Sequence, residues 1–146
     1  MLKHIKIAAV CSVLATSWFC AAQSTMPAPR VIELTADKES RYRQGNTVAP
    51  TIQVSPGEHL ILRITAVKGR QVARDGSVHG LALLDKDENT VPGWRFYFHP
   101  GVQDVEVAAP TQPGRYAAVC IVICSDMHED MGFTLVVTQP DSSAKE

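Results

Sequence analysis

The chain has 146 residues, 45% of them hydrophobic, with 14 basic side chains against 15 acidic ones and a formal net charge of −1. That length holds one domain with a real core. The near-neutral balance, without any basic stripe, excludes a nucleic-acid binder, and the composition excludes disordered and repeat classes.

The N-terminus reads as an export signal. Lys3 and Lys6 give a positive start, Ile7 to Phe19 is apolar, and Cys20-Ala21-Ala22 places small side chains before Gln23. Cleavage is expected after Ala22, so residues 1–22 form the signal peptide. The apolar stretch is shorter than the about 20 residues of a membrane span. The alternative is an uncleaved anchor, which would add membrane contact and hold the domain on the periplasmic side. Acylation at Cys20 is disfavoured by the bulky Phe19 before it. Cleavage removes Cys11 and Cys20 and leaves Cys120 and Cys124. Two cysteines four apart do not make a disulfide scaffold. The expected location is periplasmic or secreted.

Residues 23–29, Gln-Ser-Thr-Met-Pro-Ala-Pro, form a flexible lead-in. A folded domain is expected over 30–138, with a polar tail at 139–146. Within the domain the pattern is short and alternating. Strands are expected at 31–35, 51–54, 60–65, 78–84, 94–98, 102–107, 115–119 and 132–137. Pro56-Gly57, Asp75-Gly76, Pro92-Gly93, Pro100-Gly101 and Pro113-Gly114 are turn signals between them. Lys68 to Ser77 breaks the rhythm with charge and reads as a solvated loop. About eight short strands and no helix beyond a turn or two imply an all-β sandwich.

The chemistry concentrates between the last two strands. Cys120, Cys124, His128 and Met131 fall within twelve residues. Thiolates, an imidazole and a thioether are the ligand set that selects copper. A loop pinned by neighbouring strands holds such ligands rigidly, which suits an electron carrier. Another ligand must come from elsewhere in the chain, and His79 in Ser77-Val-His-Gly80 fits best, with Gly80 leaving space beside the ring. His59 belongs to the outward face of a strand whose Leu60, Leu62 and Ile64 point in. His99 precedes the Pro100-Gly101 turn. Met127 is expected to pack as an apolar plug beneath the loop.

The stretch Cys-x3-Cys-x3-His-x2-Met resembles the binuclear copper A loop of cytochrome c oxidase subunit II and of nitrous-oxide reductase. Val78-His79-Gly80 is similar to the first histidine of that family, and Pro113-Gly-Arg-Tyr116 also fits. The resemblance covers nearly the whole mature domain and implies a cupredoxin-like Greek-key β-sandwich. It implies two copper ions bridged by the sulfurs of Cys120 and Cys124. His79 and His128 would cap one ion each. Met131 and the backbone carbonyl of Val122 would be the weak ligands. It also implies electron transfer with a c-type cytochrome, a terminal oxidase or both as partner. The chain departs from the oxidase pattern in three ways. A signal-like segment replaces transmembrane helices, Val122 stands where an acidic residue is usual, and the tryptophan-rich electron-entry stretch has no match. The large catalytic domain of the reductase is absent too.

Four other readings stay open on the residues. A mononuclear blue-copper site would use His79, Cys124, His128 and Met131. It would leave Cys120 as a spare thiol beside a copper thiolate, a liability in an oxidising compartment. Zinc would take two cysteines and two histidines but no methionine. A dithiol redox pair would sit at a helix start rather than between strands. The domain could also store or deliver copper. Catalysis by the domain alone is not expected, because the ligand set is saturated and no nucleophile or carboxylate pair stands out. Asp126, Glu129 and Asp130 flank the ligands and read as ordinary loop solvation or as an acidic rim steering a basic redox partner.

Overall fold

The computed structural model describes residues 27–139; the signal peptide expected at 1–22, residues 23–26 and residues 140–146 lie outside them. Ten strands form along the described chain: β1 (Arg30–Ala36), β2 (Tyr42–Gln44), β3 (Thr47–Val48), β4 (Thr51–Val54), β5 (His59–Ala66), β6 (His79–Leu84), β7 (Thr90–Phe98), β8 (Gly101–Ala108), β9 (Gly114–Val119) and β10 (Gly132–Val137). Among the described residues the one helical element is a 3-10 turn at His128–Asp130. Among the described residues no helix is long and apolar enough to cross a membrane.

The strands make two five-stranded sheets, ordered β3-β2-β1-β5-β8 and β4-β10-β9-β6-β7. β1 runs parallel to β5, and β4 runs parallel to β10; the other pairs are antiparallel. Period-two alternation drives the packing. Leu60, Leu62 and Ile64 of β5 face in, as do Ile32 and Leu34 of β1 and Phe133, Leu135 and Val137 of β10. Each such Leu or Ile contributes about 1.5–3 kcal/mol by leaving water. β6 lies between β9 and β7 in its sheet and is buried along His79 to Leu83, which matches its unbroken apolar run.

All eight expected strands form. The β2–β3 hairpin is an addition, closed by Gly45-Asn46 with Gly45 at φ +56. Glycine at the first central position is what a type II′ turn requires. Pro92-Gly93 is not a turn between strands but lies inside β7, which begins at Thr90. β7 is an edge strand, so Pro92 withholds no needed donor. Gly93 sits at φ +79, and the β6–β7 register shifts between Ala82 and Leu84. This is a bulge that bends the edge without ending it. The 68–77 segment is a loop, as its charges imply.

The order β10-β9-β6 positions the site. Val119 at the end of β9 pairs with Ala82 and with Gly132. The start of β6, the end of β9 and the start of β10 therefore meet at one end of the sheet. The other sheet ends alongside, because Ala36 of β1 pairs with Ala66 of β5. The Asp37–Arg41 turn and Val67 follow directly from those two positions.

Candidate metal centre

His79, Cys120 and Cys124 converge, with ligand atoms within 4.8 Å of one another and all three side chains buried. The two sulfurs are 3.9 Å apart, far beyond the roughly 2.05 Å of a disulfide, and both thiols are free. Thiolates bind a tetrahedral metal at about 2.3 Å each, so this separation suits sulfurs that share a metal. Met131 is fully buried, with its Sδ 3.9 Å from the Cys124 sulfur. The Val122 carbonyl lies 3.3 Å from the Cys120 sulfur.

His79 carries the decisive detail. Its Nε2 donates to the Val67 carbonyl at 2.8 Å. Its Nδ1 is buried and has no hydrogen-bond partner, the one such side-chain atom among the described residues. Buried polar atoms rarely go unpaired, and a metal-binding histidine typically donates its other ring N–H to a carbonyl. The Val67 bond thus leaves the Nδ1 lone pair free for a metal. Burial pushes the His79 pKa down against the raising effect of the Val67 bond and of Asp37, so the ring stays neutral and able to ligate.

Cys120 is buried too, which pushes its thiol up to about 11, despite hydrogen bonds with the Val122 and Gly80 backbones. A thiol this hard to ionise in a dry pocket becomes a thiolate when a cation compensates it. The fit of the residues to a soft metal thus rests on two buried thiols, a buried thioether and an orphaned imidazole nitrogen.

The close packing at Gly80 explains the glycine. A Cβ there would lie 2.8 Å from Ile121 Cγ1, 3.0 Å from Val122 Cγ2 and 3.0 Å from the Phe96 carbonyl oxygen. The room beside the imidazole is filled by the two residues that follow Cys120. Tyr42, fully buried in the opposite sheet, donates to the Gly80 carbonyl at 2.6 Å. Burial, with Cys120 and Cys124 nearby, holds the Tyr42 pKa well above its ordinary value. The phenol remains a donor.

His128 stands outside the close group. It is half-buried at the start of the 3-10 turn, with Nδ1 3.1 Å from the Ser125 carbonyl. Asp126, Glu129 and Asp130 are exposed. Asp126 lines a groove with Lys38, Glu39, Arg70, Ser125 and Met127. Met127 is 57% exposed and is no plug; Met131 occupies the position beneath the loop. His59 is exposed. His99 is exposed as well, and its Nε2 lies 3.0 Å from the Asp75 carbonyl. Trp94 is a core residue whose indole N–H donates to Ala108.

Sequence reasoning missed Ser40. Its hydroxyl is 3.3 Å from the Cys124 sulfur and 2.6 Å from the Ser125 hydroxyl, and the side chain is 2% exposed. Ser40 sits at φ +58, a left-handed conformation that costs a non-glycine residue about 1–2 kcal/mol. No periodicity marks such a residue. The weak signal is the turn chemistry of Asp37, whose Oδ1 accepts from the Glu39 and Arg41 backbone N–H groups.

Two packed five-stranded sheets with a buried His/Cys/Cys cluster at one end define a cupredoxin-type sandwich. Solved structures bear the fold out. Auracyanin B aligns at TM-score 0.52 and 17% identity over 78% of this chain and 93% of its own. Auracyanin A, a "blue" copper protein from the green thermophilic photosynthetic bacterium Chloroflexus aurantiacus, aligns at TM-score 0.51 and 16% identity. That alignment covers 76% of this chain and all 100% of auracyanin A. A chain of a heme-copper terminal oxidase aligns at TM-score 0.46 and 20% identity over 75% of this chain. The alignment spans 65% of that oxidase chain, and the likeness is too slight to carry weight. No protein-family model matches the sequence, and no curated protein matches it.

Proposed function

We propose that the chain is an exported electron-transfer protein whose folded domain binds copper in a binuclear centre. The observation that carries this reading is a buried His79 ring with an unpartnered Nδ1, grouped within 4.8 Å with two buried thiols whose sulfurs are 3.9 Å apart. Cys120 and Cys124 would hold the copper, His79 and His128 would provide the imidazoles, and Met131 and the Val122 carbonyl would be the weak ligands. Bound copper supplies a one-electron couple. The chain supplies the rigidity that makes the couple fast. Val67 fixes the His79 ring, the ends of β9 and β10 clamp the loop, and burial excludes water from Cys124 and Met131. Donor atoms held this firmly move little between oxidation states.

His128 is the ligand nearest solvent and the natural edge for electron passage. Exposed Asp126, Glu129 and Asp130 surround it. They would draw in a basic redox partner such as a c-type cytochrome, with a terminal oxidase as acceptor.

A mononuclear blue-copper site is the second reading. It is favoured by the Cys124–Met131 sulfur contact of 3.9 Å. Cys120→Ser separates the two. The binuclear reading expects copper per chain to fall from two ions to one and the mixed-valence spectrum to vanish. Unchanged stoichiometry and spectrum would exclude Cys120 as a ligand.

A further inference from the structure

The groups around Cys124 form a directed hydrogen-bond chain. The Met127 backbone N–H donates to the Ser125 hydroxyl oxygen at 3.1 Å. The Ser125 and Ser40 hydroxyls are 2.6 Å apart, and Ser40 is 3.3 Å from the Cys124 sulfur. When Cys124 is a thiolate it has no proton to give, so Ser40 must be the donor. Ser125 then donates to Ser40, and Met127 to Ser125. All three bonds point the same way, toward the sulfur, and aligned bonds polarise one another.

The fold constrains Ser40 to this position. The Ser40 N–H donates to the Asp37 carbonyl at 3.1 Å, and the residue is held at φ +58. Asp37 in turn binds the Arg41 and Arg43 guanidinium groups. A strained, buried serine aimed at the Cys124 sulfur from the turn after β1 points to a role at the site.

We infer that Ser40, oriented by Ser125, is a positioning residue that donates a hydrogen bond to the Cys124 thiolate and raises the reduction potential of the bound copper. The inference rests on the copper reading above. A donor at sulfur withdraws electron density from the thiolate. The thiolate then stabilises the oxidised metal less, and the reduced state gains.

The test uses the copper-loaded protein and Ser40→Gly. Glycine accepts φ +58 without strain, so the variant keeps the turn and loses the hydroxymethyl side chain. Redox titration with mediators and the thiolate-to-copper absorption band are the readouts, with copper per chain as control. Ser40→Gly is expected to lower the reduction equilibrium constant about tenfold, which is about 59 mV for one electron, and to shift the absorption band. Ser125→Ala, which leaves Ser40 in place, is expected to give a smaller shift of the same sign. An unchanged potential and band in Ser40→Gly would overturn the inference. An unchanged Ser125→Ala protein would overturn the part given to Ser125. Wild-type protein that takes up copper without a thiolate-to-copper band would instead overturn the site reading itself.

Discussion

Gly80→Ala tests the packing between the strands and the metal loop. The added methyl carbon would lie 2.8 Å from Ile121 Cγ1, 3.0 Å from Val122 Cγ2 and 3.0 Å from the Phe96 carbonyl. Carbon atoms prefer separations of about 3.5–4.0 Å, so Ile121 must retreat by roughly 0.7 Å or more. The Phe96 oxygen belongs to backbone of β7, the strand paired with β6, and cannot rotate away. Overpacking of this kind costs about 1–3 kcal/mol. For a domain of this size each kcal/mol lowers Tm by about 4–8 °C. The metal-free variant is therefore expected to melt roughly 4–24 °C lower. Ile121 and Val122 stand between the two cysteines, so their displacement also separates the sulfurs. The rise in Tm on adding copper should be smaller than in the wild type. Calorimetry with and without copper reads both effects. A metal-free Tm equal to that of the wild type would refute the packing argument.

Two further substitutions probe the supports of the site. Asp37 is 8% exposed, and burial alone would raise its pKa. The Arg43 hydrogen bond, the Arg41 backbone N–H and both guanidinium charges outweigh that and hold it below 3.8. A lowered folded-state value contributes stability above the unfolded value and loses it as pH falls through the folded one. Asp37→Asn should cost about 1–2 kcal/mol at pH near 7, and the difference should shrink below pH about 4. Urea unfolding at both pH values checks this; an equal difference at both would contradict it. Tyr42→Phe keeps the edge-on packing against Phe133, 5.4 Å between ring centroids, and deletes the bond to Gly80. It should lower stability by about 1–2 kcal/mol with an unchanged urea m-value. A variant as stable as the wild type would show that the bond contributes nothing.

Alternation made β1, β4, β5, β8 and β10 legible, since their inward residues repeat every second position. The strand partners were not legible. Pairing of β1 with β5 and of β4 with β10 is set by three-dimensional packing, and a period of two names a face without naming a neighbour. The β2–β3 hairpin escaped because it is three residues against two, with Tyr42 as its single buried side chain. Its Gly45-Asn46 signal was present. Cys120, Cys124 and Met131 were readable from one loop, and His79 from its strand-end position beside a glycine. Ser40 was not readable, because it reaches Cys124 across 84 residues of chain through an irregular turn. The outward face of Met127 was misread, because Met131 competes for the same apolar space and is anchored by the Cys120 N–H bond to its carbonyl.

In the proposed centre two thiolates and two imidazoles would hold a pair of copper ions that share one unpaired electron. The most direct measurement is the electron paramagnetic resonance spectrum of the copper-loaded protein, taken with its copper content. A binuclear centre gives two ions per chain and a hyperfine pattern from two equivalent copper nuclei. One ion per chain with the pattern of a single copper nucleus would contradict it.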